Sequence, residues 1–347
     1  MQYQWITSDQ PALILAPMEG VTDAPMRALL TERGGFSFCV SEFLRITQDL
    51  LPAHVFFRHV PELASGCTTP SGTPIQIQLL GGNEEAMAAN AKRAYELGAK
   101  AIDINFGCPS PTVNNHDGGA ALLRFPDRIQ SIVAAVRKAV PQEIPVSAKL
   151  RLGWESKEDI LVNAEKAYLG GASWITIHAR TKVQGYAPPA YWEYIGEVKR
   201  RLPIPVVANG DIWSREDFIR CQNETGCQHF MIGRSALANP GLPHEIASLL
   251  GIWGITGMTP PGHAPFSQHP KEWEPILKRF SILARPASPH SQYIECRIKQ
   301  WLRFATIKNS LPWVNEVKKS KTLDEIFSVL QHYSESEVEM RSSIDPA

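Results

Sequence analysis

No Cys-x-x-Cys pair occurs in this 347-residue chain; its six cysteines, Cys39, Cys67, Cys108, Cys221, Cys227 and Cys296, are scattered. That argues against a zinc ribbon or a redox dithiol, and no metal is expected. No apolar run approaches the roughly 20 residues that a membrane helix needs. The opening MQYQWITSDQ lacks the basic-then-apolar layout of a secretion signal. A cytoplasmic protein with free thiols, away from membranes, is therefore expected. Repeats and low-complexity tracts are missing too. With 44% hydrophobic and 20% charged residues, a disordered chain, a collagen and a coiled-coil rod are excluded.

Net charge is also missing, since 35 basic side chains balance 35 acidic ones. The balance is uneven along the chain. Residues 271–321 carry eleven basic and four acidic side chains, whereas 322–347 carry one and six. A basic block in a neutral protein fits a polyanionic partner or, equally, a solvated helical surface.

What the chain does have is alternation. Short apolar runs rich in β-branched residues lie at 13–16, 38–41, 74–79, 101–105, 146–150, 174–178, 206–209 and 230–232. Helical periodicity separates them, at 84–97, 126–140, 157–169 and from 214 onward. Eight strands alternating with helices predict an α/β fold, a (β/α)8 TIM barrel. An open doubly wound sheet should carry G-x-G-x-x-G after its first strand, and Leu13–Gly20 does not. The stretch 251–275 is rich in Gly and Pro and reads as a linker. The predicted division is thus a barrel over 1–250, that linker, and a C-terminal helical domain over 276–347.

In such a barrel the functional groups sit at the C-terminal ends of the strands. Asn209-Gly210-Asp211 ends the seventh run and Gly233-Arg234 the eighth. Loops there commonly hold a phosphate, with glycines admitting backbone N–H groups and Arg234 adding charge. Lys149 and His178 end the fifth and sixth runs. Two donors, one cationic, suit a ligand that gains negative charge, as a reduced flavin does, and Gln78 could bond the polar edge of its ring. Lys149 could instead simply pair with a carboxylate. Cys108 opens the loop after the fourth run, in Asn105-Phe-Gly-Cys-Pro. A thiol of ordinary pKa is protonated at neutral pH and can act as a general acid; a depressed pKa would make it a nucleophile, and a buried structural thiol is the third reading. Asn114 and His116 are either loop structure or substrate contacts.

Taken together, Ala16-Pro-Met-Glu-Gly-Val-Thr-Asp23, Gln78-Leu-Leu-Gly, Asp103-Ile-Asn-Phe-Gly-Cys-Pro-Ser110, Lys149-Leu-Arg-Leu-Gly, His178-Ala-Arg-Thr, Asn209-Gly-Asp and Gly233-Arg234 closely resemble the tRNA-dihydrouridine synthases. Arg297-Ile-Lys-Gln-Trp301 and the pairing of Met18-Glu-Gly20 with Glu42-Phe-Leu-Arg45 resemble the synthase C branch of the bacterial enzymes. The resemblance implies FMN across the strand ends, held by Pro17, Met18, Gln78, Lys149, His178, Asn209, Gly210, Asp211, Gly233 and Arg234. It implies NADPH as reductant and a uridine flipped from the tRNA D-arm, at position 16 for this branch. Hydride would reach uracil C6 from flavin N5, and Cys108 would protonate C5. Asn105 would orient the base or the Cys108 loop. Arg151, Arg180, Lys182 and Tyr186 become candidate contacts to base or phosphate. Arg45, Arg297, Lys299 and Arg303 become candidate tRNA contacts, with Trp301 as packing. A monomer with no protein partner is expected.

Two other readings stay open. A dihydroorotate dehydrogenase-like flavoprotein acting on a free pyrimidine shares the chemistry but does not need the basic helices. A non-catalytic RNA-binding barrel needs neither flavin nor Cys108.

Overall fold

A computed structural model describes residues 5–6, 10–252, 266–287, 290 and 292–342. Nine parallel strands run in chain order: β1 (Ala12–Leu15), β2 (Phe38–Val40), β3 (Leu44–Arg45), β4 (Ile75–Leu80), β5 (Ile102–Phe106), β6 (Val146–Arg151), β7 (Ile175–His178), β8 (Val206–Asn209) and β9 (His229–Ile232). All but β3 form the closed barrel: β1 pairs with β2, β2 with β4, each later strand with the next, and β9 with β1. The two-residue β3 lies along the end of β4, Arg45 beside Leu80. Helices surround the barrel: α1 (Ala24–Glu32), α2 (Ala53–His59), α3 (Glu84–Glu96), α4 (Pro111–Asn114), α5 (Pro126–Ala139), α6 (Asp159–Leu169), α7 (Trp192–Arg201), α8 (Arg215–Thr225), α9 (Arg234–Ala238) and α10 (Leu242–Leu249). The predicted (β/α)8 barrel is the fold observed.

The strands form where the sequence can be buried on both faces, as a covered parallel sheet requires. On β6 the period of two sends Val146, Ala148 and Leu150 toward the helices and Ser147, Lys149 and Arg151 toward the barrel axis. On the outside, Ile129, Ile132, Val133 and Val136 of α5 form the expected buried stripe. Local signals fix the helix starts: Asp23 and Asn83 accept the backbone N–H of Met26 and Ala86 at 3.2 and 2.8 Å.

The barrel interior has two characters. Ile14, Phe38, Val40, Trp174, Val207 and Met231 make an apolar plug, with Trp5 edge-on to Phe38. The inward residues of β4 to β6 are polar, and Gln76, Gln78, Asp103 and Ser147 are all at most 2% exposed.

The C-terminal helices are α11 (Pro270–Ala284), α12 (Tyr293–Ala305), α13 (Pro312–Lys319) and α14 (Leu323–Ser342). Trp273, Trp301, Trp313 and Phe280 form their aromatic centre. That centre is continuous with the core around the barrel. Trp301, read as packing, is 1% exposed and donates its indole N–H to Leu237 O at 2.9 Å. The helices begin at Pro270, inside the stretch predicted as a linker; 253–265 lie outside the described residues. No helix among the described residues is long and apolar enough to cross a membrane, and none of their His, Cys, Asp and Glu side chains cluster as a metal site.

Candidate active site

A cavity of about 590 Å³ opens at the C-terminal ends of the strands. All ten residues assigned by resemblance to a flavin line it: Pro17, Met18, Gln78, Lys149, His178, Asn209, Gly210, Asp211, Gly233 and Arg234. Cys108, Asn105, Arg151 and Tyr186 line it too. Strand register brings them together. Lys149 lies beside Asn105 across β5 and β6, and His178 beside Arg151 and Asn209 across β6, β7 and β8.

Lys149 Nζ donates to Asn209 Oδ1 at 3.2 Å, and Asn209 Nδ2 donates to Met231 O at 2.8 Å. Burial, with Arg151 nearby, pulls the Lys149 ammonium down to about 8, while Asp103 opposes the shift. Burial and the surrounding cations hold His178 well below its ordinary value, so its imidazole is neutral at pH 7. His178 Nδ1 is buried with no partner in the protein. A bound group can complete that atom's hydrogen bonding.

The glycines here are steric requirements. A Cβ on Gly233 would come within 3.0 Å of Met18 Sδ and 3.1 Å of the Ala16 side chain. Gly210 has φ +118°, which side-chain-bearing residues rarely adopt. Asp211 accepts from Trp213 Nε1 at 3.0 Å and from Arg234 at 3.5 Å, and pairs with Arg180. Arg234 lies over the rings of Tyr186 and Trp213, at 4.5 and 5.2 Å. Its charge is thus shared with Asp211 rather than free.

Cys108 is half-buried, and burial pushes its thiol up from the ordinary value, so it is protonated at neutral pH. That favours the acid over the nucleophile. Its loop is fastened from below. Asn105 Oδ1 accepts the backbone N–H groups of Gly107 and Cys108, both at 2.9 Å. Asn114 Nδ2 donates to Cys108 O and Ser110 O at 3.3 and 2.8 Å, and Asn114 Oδ1 accepts from Ala121 N at 2.8 Å. Asn114 is therefore loop structure. His116 Nδ1 likewise pairs with Thr112 O at 2.7 Å.

Several residues expected to contact tRNA make bonds within the protein. Arg180 is 1% exposed, bonds Ala187 O at 2.7 Å besides Asp211, and does not line the cavity. Its Nε and Nη2 hold two loops, and its Nη1 is buried with no partner in the protein. Arg151 lines the cavity but is 3% exposed and donates to the carbonyls of Gly107, Thr181 and Gly185 at 2.7–2.9 Å. It braces the Cys108 loop. Arg297 is a docking residue, bonded to Gly20 O at 2.6 Å, Val21 O at 2.7 Å and Asp23 at 3.0 Å. Lys299 donates to Ser320 O, between helices. Arg180, Arg151 and Arg297 are buried on internal carbonyls and carboxylates, whereas Lys299 is half-buried on a single carbonyl. Arg303 and Arg45 stay accessible, the first exposed on α12 and the second half-buried at the end of β3. Lys182 sits 4.1 Å from the Trp154 ring centre. Tyr186 is 54% exposed at the mouth of the cavity.

Phe304 and Ile307 also line the cavity. Sequence reasoning missed them because the helix was read for its charges. The available signal was apolar spacing: Phe304 lies one helical turn from Trp301 on α12, and Ile307 follows three residues later, just past the helix end. Glu42, at the start of the Glu42–Arg45 motif, is a further cavity-side carboxyl. It accepts the Val21 N–H at 3.1 Å, and burial with Glu19 and Asp23 nearby raises it to about 7.

Comparison with known proteins adds three findings. Residues 14–338 match the family model described as dihydrouridine synthase (Dus). A protein of Shewanella oneidensis named tRNA-dihydrouridine(16) synthase is 46% identical over 92% of this chain and 97% of its own length. Proteins of that name from Pseudomonas syringae pv. tomato and Neisseria meningitidis serogroup B are both 42% identical, over 85% and 92% of this chain and 89% and 94% of theirs. Among solved structures, a 2-naphthoyl-CoA reductase complex superposes with a TM-score of 0.52 at 12% identity. It covers 68% of this chain, which spans half of that one's length, and speaks for the fold alone.

Proposed function

The chain belongs to the dihydrouridine synthase family, and on that premise we propose that it reduces the D-loop uridine at position 16 of tRNA to 5,6-dihydrouridine. The carrying observation is one cavity that sets a protonated, half-buried thiol, Cys108, facing the same space as Lys149, neutral His178 and Asn209. FMN fits these residues. Lys149, Gln78 and Asn209 would hold the polar edge of its ring, and the Gly210 and Gly233 backbones would leave room for its phosphate tail. The orphaned His178 Nδ1 would gain a partner. When bound and reduced by NADPH, the flavin supplies a hydride to uracil C6.

The chain's residues do the rest. Cys108 Sγ–H gives its proton to C5, so hydride and proton together saturate the C5–C6 bond. The thiolate left behind recovers a proton from water, since Cys108 is only half-buried. Arg151 and Asn105 hold the loop that carries the thiol. Phe304 and Ile307 wall the cavity on the side of the helices, which excludes water from the reacting base. Barrel residues 1–250 thus form the catalytic part. The helices of 276–347 form the tRNA-binding part, with Arg303 on α12 and Arg45 on the barrel as phosphate contacts. The cytoplasm, with a single chain acting alone, is its proposed setting.

The test is anaerobic stopped-flow. Flavin-loaded protein reduced by NADPH is mixed with unmodified tRNA, with uridine or with orotate. Rapid reoxidation by tRNA alone is expected. Reoxidation by orotate and not by tRNA would transfer the assignment to a free-pyrimidine oxidoreductase.

A further inference from the structure

Resting on the reading of Cys108 as proton donor, we propose that Asp103 is a positioning residue of the reaction: its carboxylate fixes the polarity of a chain of side-chain amides that ends on the Cys108 loop. Asp103 projects from β5 into the barrel, 2% exposed, and does not line the cavity. Its Oδ1 accepts the Ser147 hydroxyl at 2.5 Å and its Oδ2 accepts Gln78 Nε2 at 2.7 Å. Gln78 Oε1 accepts Asn105 Nδ2 at 2.8 Å. Asn105 Oδ1 then accepts the N–H groups of Gly107 and Cys108, each at 2.9 Å.

Direction follows from the first member. An ionised carboxylate only accepts, so Gln78 must turn its NH₂ toward Asp103. That leaves the Gln78 carbonyl for Asn105, which must answer with its own NH₂. Only then does the Asn105 carbonyl face the Cys108 loop, where two backbone donors wait. A flipped Gln78 would set its carbonyl against the buried carboxylate. A flipped Asn105 would set NH₂ against two N–H groups. Either leaves buried polar groups unpaired, which is costly. A charge on the barrel axis thereby decides where the loop bearing the thiol sits, through two amides and without touching substrate. The register beside it supports this, because Gln78 and Asp103 are direct neighbours across β4 and β5.

The test uses full-length, flavin-loaded protein. Asp103→Asn keeps the shape but can donate or accept, so Gln78 is no longer oriented. tRNA affinity is expected to be unchanged and, with FMN supplied at saturation because Gln78 also faces the flavin site, single-turnover reduction is slowed by about 10²-fold, the scale of a misplaced reacting group. The rate of Cys108 alkylation by iodoacetamide should change with it. The double variant Asp103→Asn/Asn105→Ala should be no slower than Asn105→Ala alone, because Asp103 acts through Asn105. Ser147→Ala leaves the carboxylate an acceptor and should keep the wild-type rate. Wild-type turnover in Asp103→Asn, or fully additive losses in the double variant, would overturn the proposal. So would loss of the fold in both Asp103→Asn and Asp103→Ala, which would make Asp103 a structural residue. A wild-type protein inactive on tRNA would instead defeat the underlying reading. The alkylation comparison would then still test the relay, an unchanged rate counting against it.

Discussion

Asn105 carries Cys108 by its main chain: the Asn105 side-chain carbonyl accepts the Cys108 N–H at 2.9 Å, and its NH₂ is anchored on Gln78 at 2.8 Å. The thiol is therefore placed by backbone hydrogen bonds to its loop, while burial keeps it protonated. Placement and protonation have separate causes and separate tests.

Cys108→Ala should keep flavin and tRNA binding and lose turnover by about 10²–10⁴-fold, the range for a missing general acid. Flavin absorbance, a tRNA binding isotherm and single-turnover kinetics check this. Full activity would remove the acid role.

Asn105→Ala frees the N–H groups of Gly107 and Cys108 while leaving the thiol in place. Turnover should fall by about 10²-fold with tRNA affinity held. Equal turnover in variant and parent would mean that Asn114 and Arg151 hold the loop unaided.

Flavin binding should depend on pH through Lys149. Below its value of about 8 the ammonium is present; as pH rises through that value the charge is lost. FMN affinity of the flavin-free protein should be level below about 8 and fall above it, by up to about tenfold per pH unit. Lys149→Met should bind FMN more weakly and without that slope. A slope that survives in Lys149→Met would assign it to another group.

The helical cations should divide into two kinds. Arg303→Ala should weaken tRNA binding and reduce its salt slope by about one charge, leaving thermal stability unchanged. Arg297→Ala should instead destabilise the fold by roughly 3 kcal/mol, as expected for breaking a buried pair. It removes bonds to Gly20 O, Val21 O and Asp23. Denaturant titration beside a salt series separates the two. A stable Arg297→Ala with a reduced salt slope would restore Arg297 as a phosphate contact.

Much of this was legible in the sequence because strand alternation is rigid. Val-Ser-Ala-Lys-Leu-Arg already places Ser147, Lys149 and Arg151 on one face of β6, and the polar strand ends already mark the mouth of the barrel. Less legible was α1, a nine-residue helix in which even its polar Arg27 and Thr31 are buried, so no solvated face marks its period. The internal bonds of Arg180, Arg297 and Lys299 were not legible for another reason. A helical wheel or a strand end tells which charges share a face, but not which face meets carbonyls. The Gln78–Asp103–Ser147 contact depends on register between strands distant in sequence, which no local pattern carries.

The most direct measurement is mass-spectrometric mapping of dihydrouridine in unmodified tRNA after incubation with the purified protein, FMN and NADPH. Dihydrouridine at position 16, absent with Cys108→Ala, is the expected result. No dihydrouridine, from protein that binds FMN and is reduced by NADPH, would contradict the assignment.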